Sequence, residues 1–134
     1  MPNPAIPDDR GYTEEHEWVS LLPGADLPDG PVRVGVTSIA TESLGELVYV
    51  DLPEVGAEIV AGESCGEVES TKTVSELYPP VSGRVVEVND AVLSDPSIIT
   101  ADPYGQGWLF AVQATATGTL LTANEYAEKN EMNA

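Results

Sequence analysis

Valine alternates with other side chains at Val32, Val34 and Val36. Short β-branched runs follow at 47–50, 58–60, 67–69, 73–77, 84–88 and 108–112. Alternation with a period of two puts one face of a strand in a core and the other in water, so each run predicts a strand. Gly, Pro, Asn or Asp punctuates most of the gaps, and residues 21–31, with three Pro and two Gly, read as a loop. Helical signals are fewer. Residues 37–45 carry a hydroxyl in front and Gly45 behind, which predicts one short middle helix. Thr13 with the acidic residues after it allows a short N-terminal helix, or else an extended entry. Thr122 and Glu125 form a capping-box pattern for a short C-terminal helix around Tyr126. The expected organisation is mostly β: a flexible terminus at 1–11, one domain at 12–129 and a frayed end at 130–134.

One internal echo stands out. Gly45-Glu46-Leu47-Val48-Tyr49-Val50-Asp51 resembles Gly83-Arg84-Val85-Val86-Glu87-Val88-Asn89, position by position. Gly followed by alternating Val recurs by chance in β proteins; alternatively it marks a sandwich of two related halves. On the second reading Lys72 lies on the connection between the halves and projects from the end of the sandwich. Val68 and Val74 bracket Glu69-Ser70-Thr71-Lys72-Thr73, a polar crest between two apolar positions. If the flanking strands pair as a hairpin, that crest is exposed, because loop backbone needs water or side-chain partners. No Asn-Gly turn signal is present, and on pattern alone Lys72 reads as an ordinary surface lysine.

Composition narrows the function. Twenty-three acidic residues face five basic ones, for a formal net charge of −18. Such a surface repels phosphate backbones, so neither nucleic acid nor an anionic membrane is an expected partner. It either serves solubility or steers the chain onto basic patches of partner proteins. Lysine occurs only at Lys72 and Lys129, which leaves a modifying enzyme few alternatives. No stretch approaches the roughly 20 apolar residues of a membrane span, and residues 1–10 lack the apolar core of a signal peptide. With Cys65 as the lone cysteine, a cytoplasmic setting is expected. Cys65 reads as a small core residue, His16 as structural or at a cleft rim, and Trp18 and Trp108 as core. No metal site is expected, since His16 has no second His or Cys cluster to join. Neither a phosphate loop nor a nucleophile elbow supports an enzyme.

The ordered landmarks carry more than any of these. They are Thr13-Glu14-Glu15-His16-Glu17-Trp18-Val19, Val34-Gly35-Val36-Thr37, Leu44-Gly45 and Val50-Asp51-Leu52-Pro53-Glu54-Val55-Gly56. Gly66-Glu67-Val68-Glu69-Ser70-Thr71-Lys72, Pro80-Val81-Ser82-Gly83, Val88-Asn89 and Asp102-Pro103-Tyr104-Gly105-Gln106-Gly107-Trp108 follow. Taken in order, from Tyr12 to about Tyr126, the chain resembles the H proteins of the glycine cleavage system. The resemblance implies a barrel-sandwich hybrid like that of lipoyl and biotinyl domains, with lipoate covalently attached to Lys72. It also implies that Glu17 and Glu76 line a cleft that holds the lipoyl arm. Thr71, Thr73, Pro80, Thr100 and the long 22–31 loop depart from the family pattern.

The same resemblance implies a carrier and not an enzyme. Its partners would be a PLP-dependent glycine decarboxylase, a tetrahydrofolate-dependent aminomethyltransferase and a flavin (FAD) dihydrolipoyl dehydrogenase. A lipoate ligase or octanoyltransferase would attach the group. Three other readings compete. In a biotin carrier Met residues usually flank the lysine, against Thr71 and Thr73 here. The lipoyl domains of 2-oxo acid dehydrogenases are shorter, without the His16-Glu17-Trp18 opening. An H-like protein that relays lipoate to other carriers stays open on sequence alone.

Overall fold

The computed structural model of the chain describes residues 6–129. It opens with β1 (Gly11–Tyr12) and β2 (Glu17–Val19), joined by a turn in which the Thr13 hydroxyl accepts the N–H groups of Glu15 and Glu17. The helix allowed at this end is therefore absent, and the extended entry is what forms. His16 sits at φ 67°, which ends any right-handed turn, and from Glu17 onward the chain is held extended by pairing with β3 (Val32–Val36).

β3 (Val32–Val36) leads into α1 (Ser38–Leu44), with Thr37 as N-cap and Gly45 closing the C-terminus, as the local pattern predicts. β4 (Leu47–Asp51), β5 (Glu58–Ile59), β6 (Gly66–Ser70), β7 (Val74–Leu77) and β8 (Val81–Val88) follow. Two short helices, α2 (Asp90–Ser94) and α3 (Ser97–Ala101), then intervene. The sequence pattern did not predict them. α2 has the Asn89 side chain as its cap, accepting the Ala91 N–H, whereas α3 follows Pro96 with no side-chain cap, and only the preceding Asp95 accepts the Ser97 N–H. β9 (Phe110–Thr117) runs five residues past the predicted end at 112. α4 (Ala123–Lys129) completes the chain, with the Thr122 and Glu125 side chains capping each other's N–H groups.

The strands form two sheets, one ordered β1-β2-β3-β9-β8-β5 and one ordered β4-β6-β7, the arrangement of a barrel-sandwich hybrid. The main core lies between them, with Val34, Val68, Leu77, Val85, Ile99 and Phe110 among its buried side chains. A second cluster gathers Ile6, Tyr12, Trp18, Leu121 and Tyr126. Ile6 belongs to the segment expected to be flexible, and Arg10 lies 4.7 Å over the Trp18 ring, so packing starts before Tyr12. Residues 1–5 and the expected frayed end at 130–134 lie outside the described residues.

Gly35 has no side chain because Trp18 occupies that space: a Cβ there would stand 2.6 Å from the indole. Trp18 is buried, as expected; Trp108 is only partly so, with Arg33 at 4.4 Å over its ring. Position-by-position correspondence also extends to the internal echo. β4 and β8 lie in different sheets, yet each ladder slips register at the equivalent place, between Leu47 and Tyr49 and between Val85 and Glu87. In both copies the first residue points inward and the next two are exposed. An extra residue in one strand resets the inside–outside alternation, which is why Tyr49 faces water where strict alternation would bury it.

Candidate functional site at the Lys72 hairpin

β6 and β7 pair directly, in the register Gly66↔Leu77 to Glu69↔Val74, and leave Thr71-Lys72-Thr73 as an exposed crest. Ser70 organises that crest. Its side-chain oxygen accepts the N–H groups of Lys72 and Thr73, both at 3.1 Å, and its own N–H donates to the Thr73 carbonyl at 2.8 Å. This hydroxyl-based turn does the work that an Asn-Gly pair does elsewhere. A second tie comes from outside the hairpin, where the Thr71 N–H donates to the Glu46 carbonyl at 3.1 Å.

Gly45, just before Glu46, sets the surface under the lysine. Its φ is 80°, and a Cβ there would lie 3.2 Å from Lys72 Cε and 3.6 Å from Nζ. The end of the lysine stem thus passes over the bare backbone that closes α1. Among the described residues no carboxylate forms an ion pair with the Lys72 amine.

The outer face of the β4-β6-β7 sheet is acidic beside this crest. Asp51, Glu67 and Glu76 stand directly opposite one another across three strands. Like charges at directly opposed positions destabilise a sheet. One row closer to the crest, Tyr49 and Val74 flank Glu69, and both are more than half exposed.

Glu17 and Glu76 occupy contrasting places. Glu76 is exposed on β7, four residues past Lys72. Glu17 on β2 is 1% exposed, and one of its oxygens, Oε2, accepts the Tyr78 N–H. The other, Oε1, is buried with no hydrogen-bond partner among the described residues. Burial raises the Glu17 pKa well above the ordinary carboxylate range; the Tyr78 N–H opposes this and the nearby Glu15 charge adds to it. Tyr78 also donates its hydroxyl to Glu76 Oε2 at 2.9 Å. One residue thus touches both carboxylates. No local signal marks Tyr78, because its partner Glu17 is 61 positions away.

Cys65 and His16 serve the scaffold. Burial, then the Glu17 charge, pushes the half-buried Cys65 thiol up to about 12, which keeps it protonated and unreactive at neutral pH. His16 Nδ1 lies 2.6 Å from the Tyr126 hydroxyl, which lies 2.7 Å from Thr37 Oγ1, so α4, the entry turn and the α1 cap are joined. Burial lowers the His16 pKa. Among the described residues there is no group of His, Cys, Asp and Glu that could hold a metal ion. No described helix is long and apolar enough to cross a membrane.

This architecture recurs in known proteins. A glycine cleavage system H protein from Mycobacterium marinum superposes with a TM-score of 0.93 at 64% identity, covering 94% of this chain and 99% of that one. The H protein of Corynebacterium jeikeium is 53% identical over 127 residues, 95% of this chain and 98% of its own length. That of Thermobifida fusca is 51% identical over 128 residues, 95% and 97% of the two chains. The glycine cleavage H-protein family profile matches residues 10–133. The ordered landmarks, the two-sheet fold and these matches lead to one conclusion: the chain belongs to the glycine cleavage H-protein family.

Proposed function

We propose that this chain is the lipoyl carrier of a glycine cleavage system, with lipoate joined through an amide to Lys72 Nζ. The observation that carries the reading is the Ser70-organised crest, which presents an exposed lysine on a backbone held from two sides. The surroundings fit such a group: the stem lies over Gly45, and the amine has no ion pair to give up among the described residues. When bound, the dithiolane supplies thiol–disulfide chemistry and a sulfur on which a one-carbon unit can travel. The polypeptide supplies position and access.

In this role the chain carries the aminomethyl group of glycine from a PLP-dependent decarboxylase to a tetrahydrofolate-dependent aminomethyltransferase. Electrons then pass to a flavin dihydrolipoyl dehydrogenase. Glu17 and Glu76 are assigned to the cleft that receives the loaded arm, where a carboxylate stabilises a cationic amine. Support for the pair comes from Tyr78, whose N–H and hydroxyl hold the two carboxyl groups on either side of one residue. A lipoate ligase or octanoyltransferase loads Lys72, and the cell compartment is the cytoplasm.

Intact-mass measurement after expression with lipoate tests the assignment. One lipoyl adduct per chain is expected, lost in Lys72→Arg and kept in Lys129→Arg. A biotin adduct, or lipoate on Lys129, would overturn it. Reconstitution of glycine cleavage with the three partner enzymes separates this role from that of a lipoate relay.

A further inference from the structure

On another side of Tyr78 lies a cleft of about 370 Å³, at the small end of ligand-binding pockets. Pro79 and Leu121, both buried, give it apolar walls, and the part-exposed Tyr78 also lines it. Glu14 and Glu15 stand exposed at its edge, together with Lys129 from the end of α4. We propose that this cleft is a socket for one arginine side chain presented by a partner enzyme, a role that rests on the carrier function above. The occupant is identified by three features. Apolar walls under a carboxylate rim suit a side chain with a hydrocarbon stem and a cationic head. The chain's own Lys129 already answers half of that rim, with Nζ 3.1 Å from Glu14, while Glu15 has no ion pair among the described residues. A guanidinium, planar and able to bind a carboxylate through two N–H groups, can also stack on the Tyr78 ring. Elsewhere this chain holds both Arg10 and Arg33 over aromatic rings.

Its position gives the socket a consequence. Tyr78 is one of the residues that line the cleft, and its N–H and hydroxyl are the groups that hold Glu17 and Glu76. An arginine seated against Tyr78 therefore presses on the residue that fixes both carboxylates. Docking and the setting of those carboxylates become one event.

The test uses the unmodified, isotope-labelled full chain and acetyl-arginine amide as probe, followed by amide NMR at low salt. Signals of Glu15, Gly62, Tyr78 and Gly118 are expected to move with arginine and not with the uncharged acetyl-citrulline amide. Glu15→Gln should weaken the effect about two- to fivefold, the factor that an exposed ion pair supplies. In the reconstituted system Glu15→Gln should raise the carrier KM of at least one partner enzyme by a similar factor, with lipoylation of Lys72 unchanged. Equal shifts with citrulline, or no difference between wild type and Glu15→Gln, would overturn the socket. Movement of these signals on lipoylation alone would assign the cleft to the chain's own arm and overturn it too. The titration needs no lipoate, so its failure is separate from failure of the carrier assignment.

Discussion

The main-chain N–H of Tyr78 donates to the side chain of Glu17, and this contact ties the start of the six-stranded sheet to the segment that leaves the lysine hairpin. It satisfies one oxygen of a carboxyl group that is otherwise cut off from water. A protein that carried Glu17 for stability alone would be better served by an uncharged residue, because an unmatched buried charge costs more than it returns.

That cost should be measurable as a function of pH. An unfolded glutamate ionises near pH 4.3, whereas folded Glu17 keeps its proton to higher pH. The folded state thus holds a proton that the unfolded state has lost, and stability falls as pH rises from about 4.3 through the folded-state pKa. Glu17→Gln removes this slope. Urea unfolding at pH 4, 6 and 8 should show the variant gaining on wild type by about 1.4 kcal/mol per pH unit between the two pKa values, then running parallel. Curves that stay parallel from pH 4 upward would mean that Glu17 ionises as freely as an exposed residue.

The same two carboxylates have a functional test. Glu17→Gln and Glu76→Gln chains should accept lipoate normally but lose the loaded aminomethyl group to water faster than wild type. Formaldehyde and ammonia released from the purified loaded carrier, without the transferase, report this directly. Identical decay in all three chains would remove both residues from the arm cleft.

Ser70 makes a separate prediction at the crest. Ser70→Ala leaves the N–H groups of Lys72 and Thr73 without their shared acceptor, at a cost of roughly 1–2 kcal/mol because the site is only partly buried. Lipoylation should slow as well, since the lysine loses its fixed presentation. Thermal unfolding and a mass-resolved ligase time course check the two effects; a wild-type time course would show that the turn does not matter to the modifying enzyme.

Opposed Asp51, Glu67 and Glu76 predict a trade between stability and docking. Glu67→Gln should raise stability by a few tenths to about 1 kcal/mol at low salt, and the gain should shrink as salt screens the exposed charges. If the acidic surface guides encounter, the decarboxylase should show weaker apparent affinity for this variant, and for wild type as salt increases. An affinity that stays flat from low to high salt would assign the −18 charge to solubility alone.

What could be read from the chain beforehand was local. The Thr37 and Gly45 caps of α1, the Thr122–Glu125 box and the alternation of β3 each involve neighbours a few residues apart, and each formed as the pattern predicts. Their energetics are settled within one turn or one strand. The entry helix failed for a reason that is not local: strand pairing with β3 outweighs a weak cap signal. Lys72 shows the limit of pattern from the other direction. Periodicity makes it a turn lysine, and the proposal that it is an attachment point comes only from the ordered landmarks of the whole chain.

Tertiary structure decided what no run of residues encodes. Residues of the same type diverged according to their surroundings: Glu17 became a buried group with a raised pKa, while Glu76 stayed on the surface. Tyr78 acquired two partners from different sheets, and His16, Tyr126 and Thr37 closed a chain of contacts across the length of the sequence. Equivalent bulges in β4 and β8 turned Tyr49 outward against its own alternation. Sequence by itself determined most of the strands and the caps of α1 and α4, because these depend on short-range backbone preference and side-chain period. Burial, charge state and partnership depend on which distant segments meet, and only the packing of the two sheets supplied that.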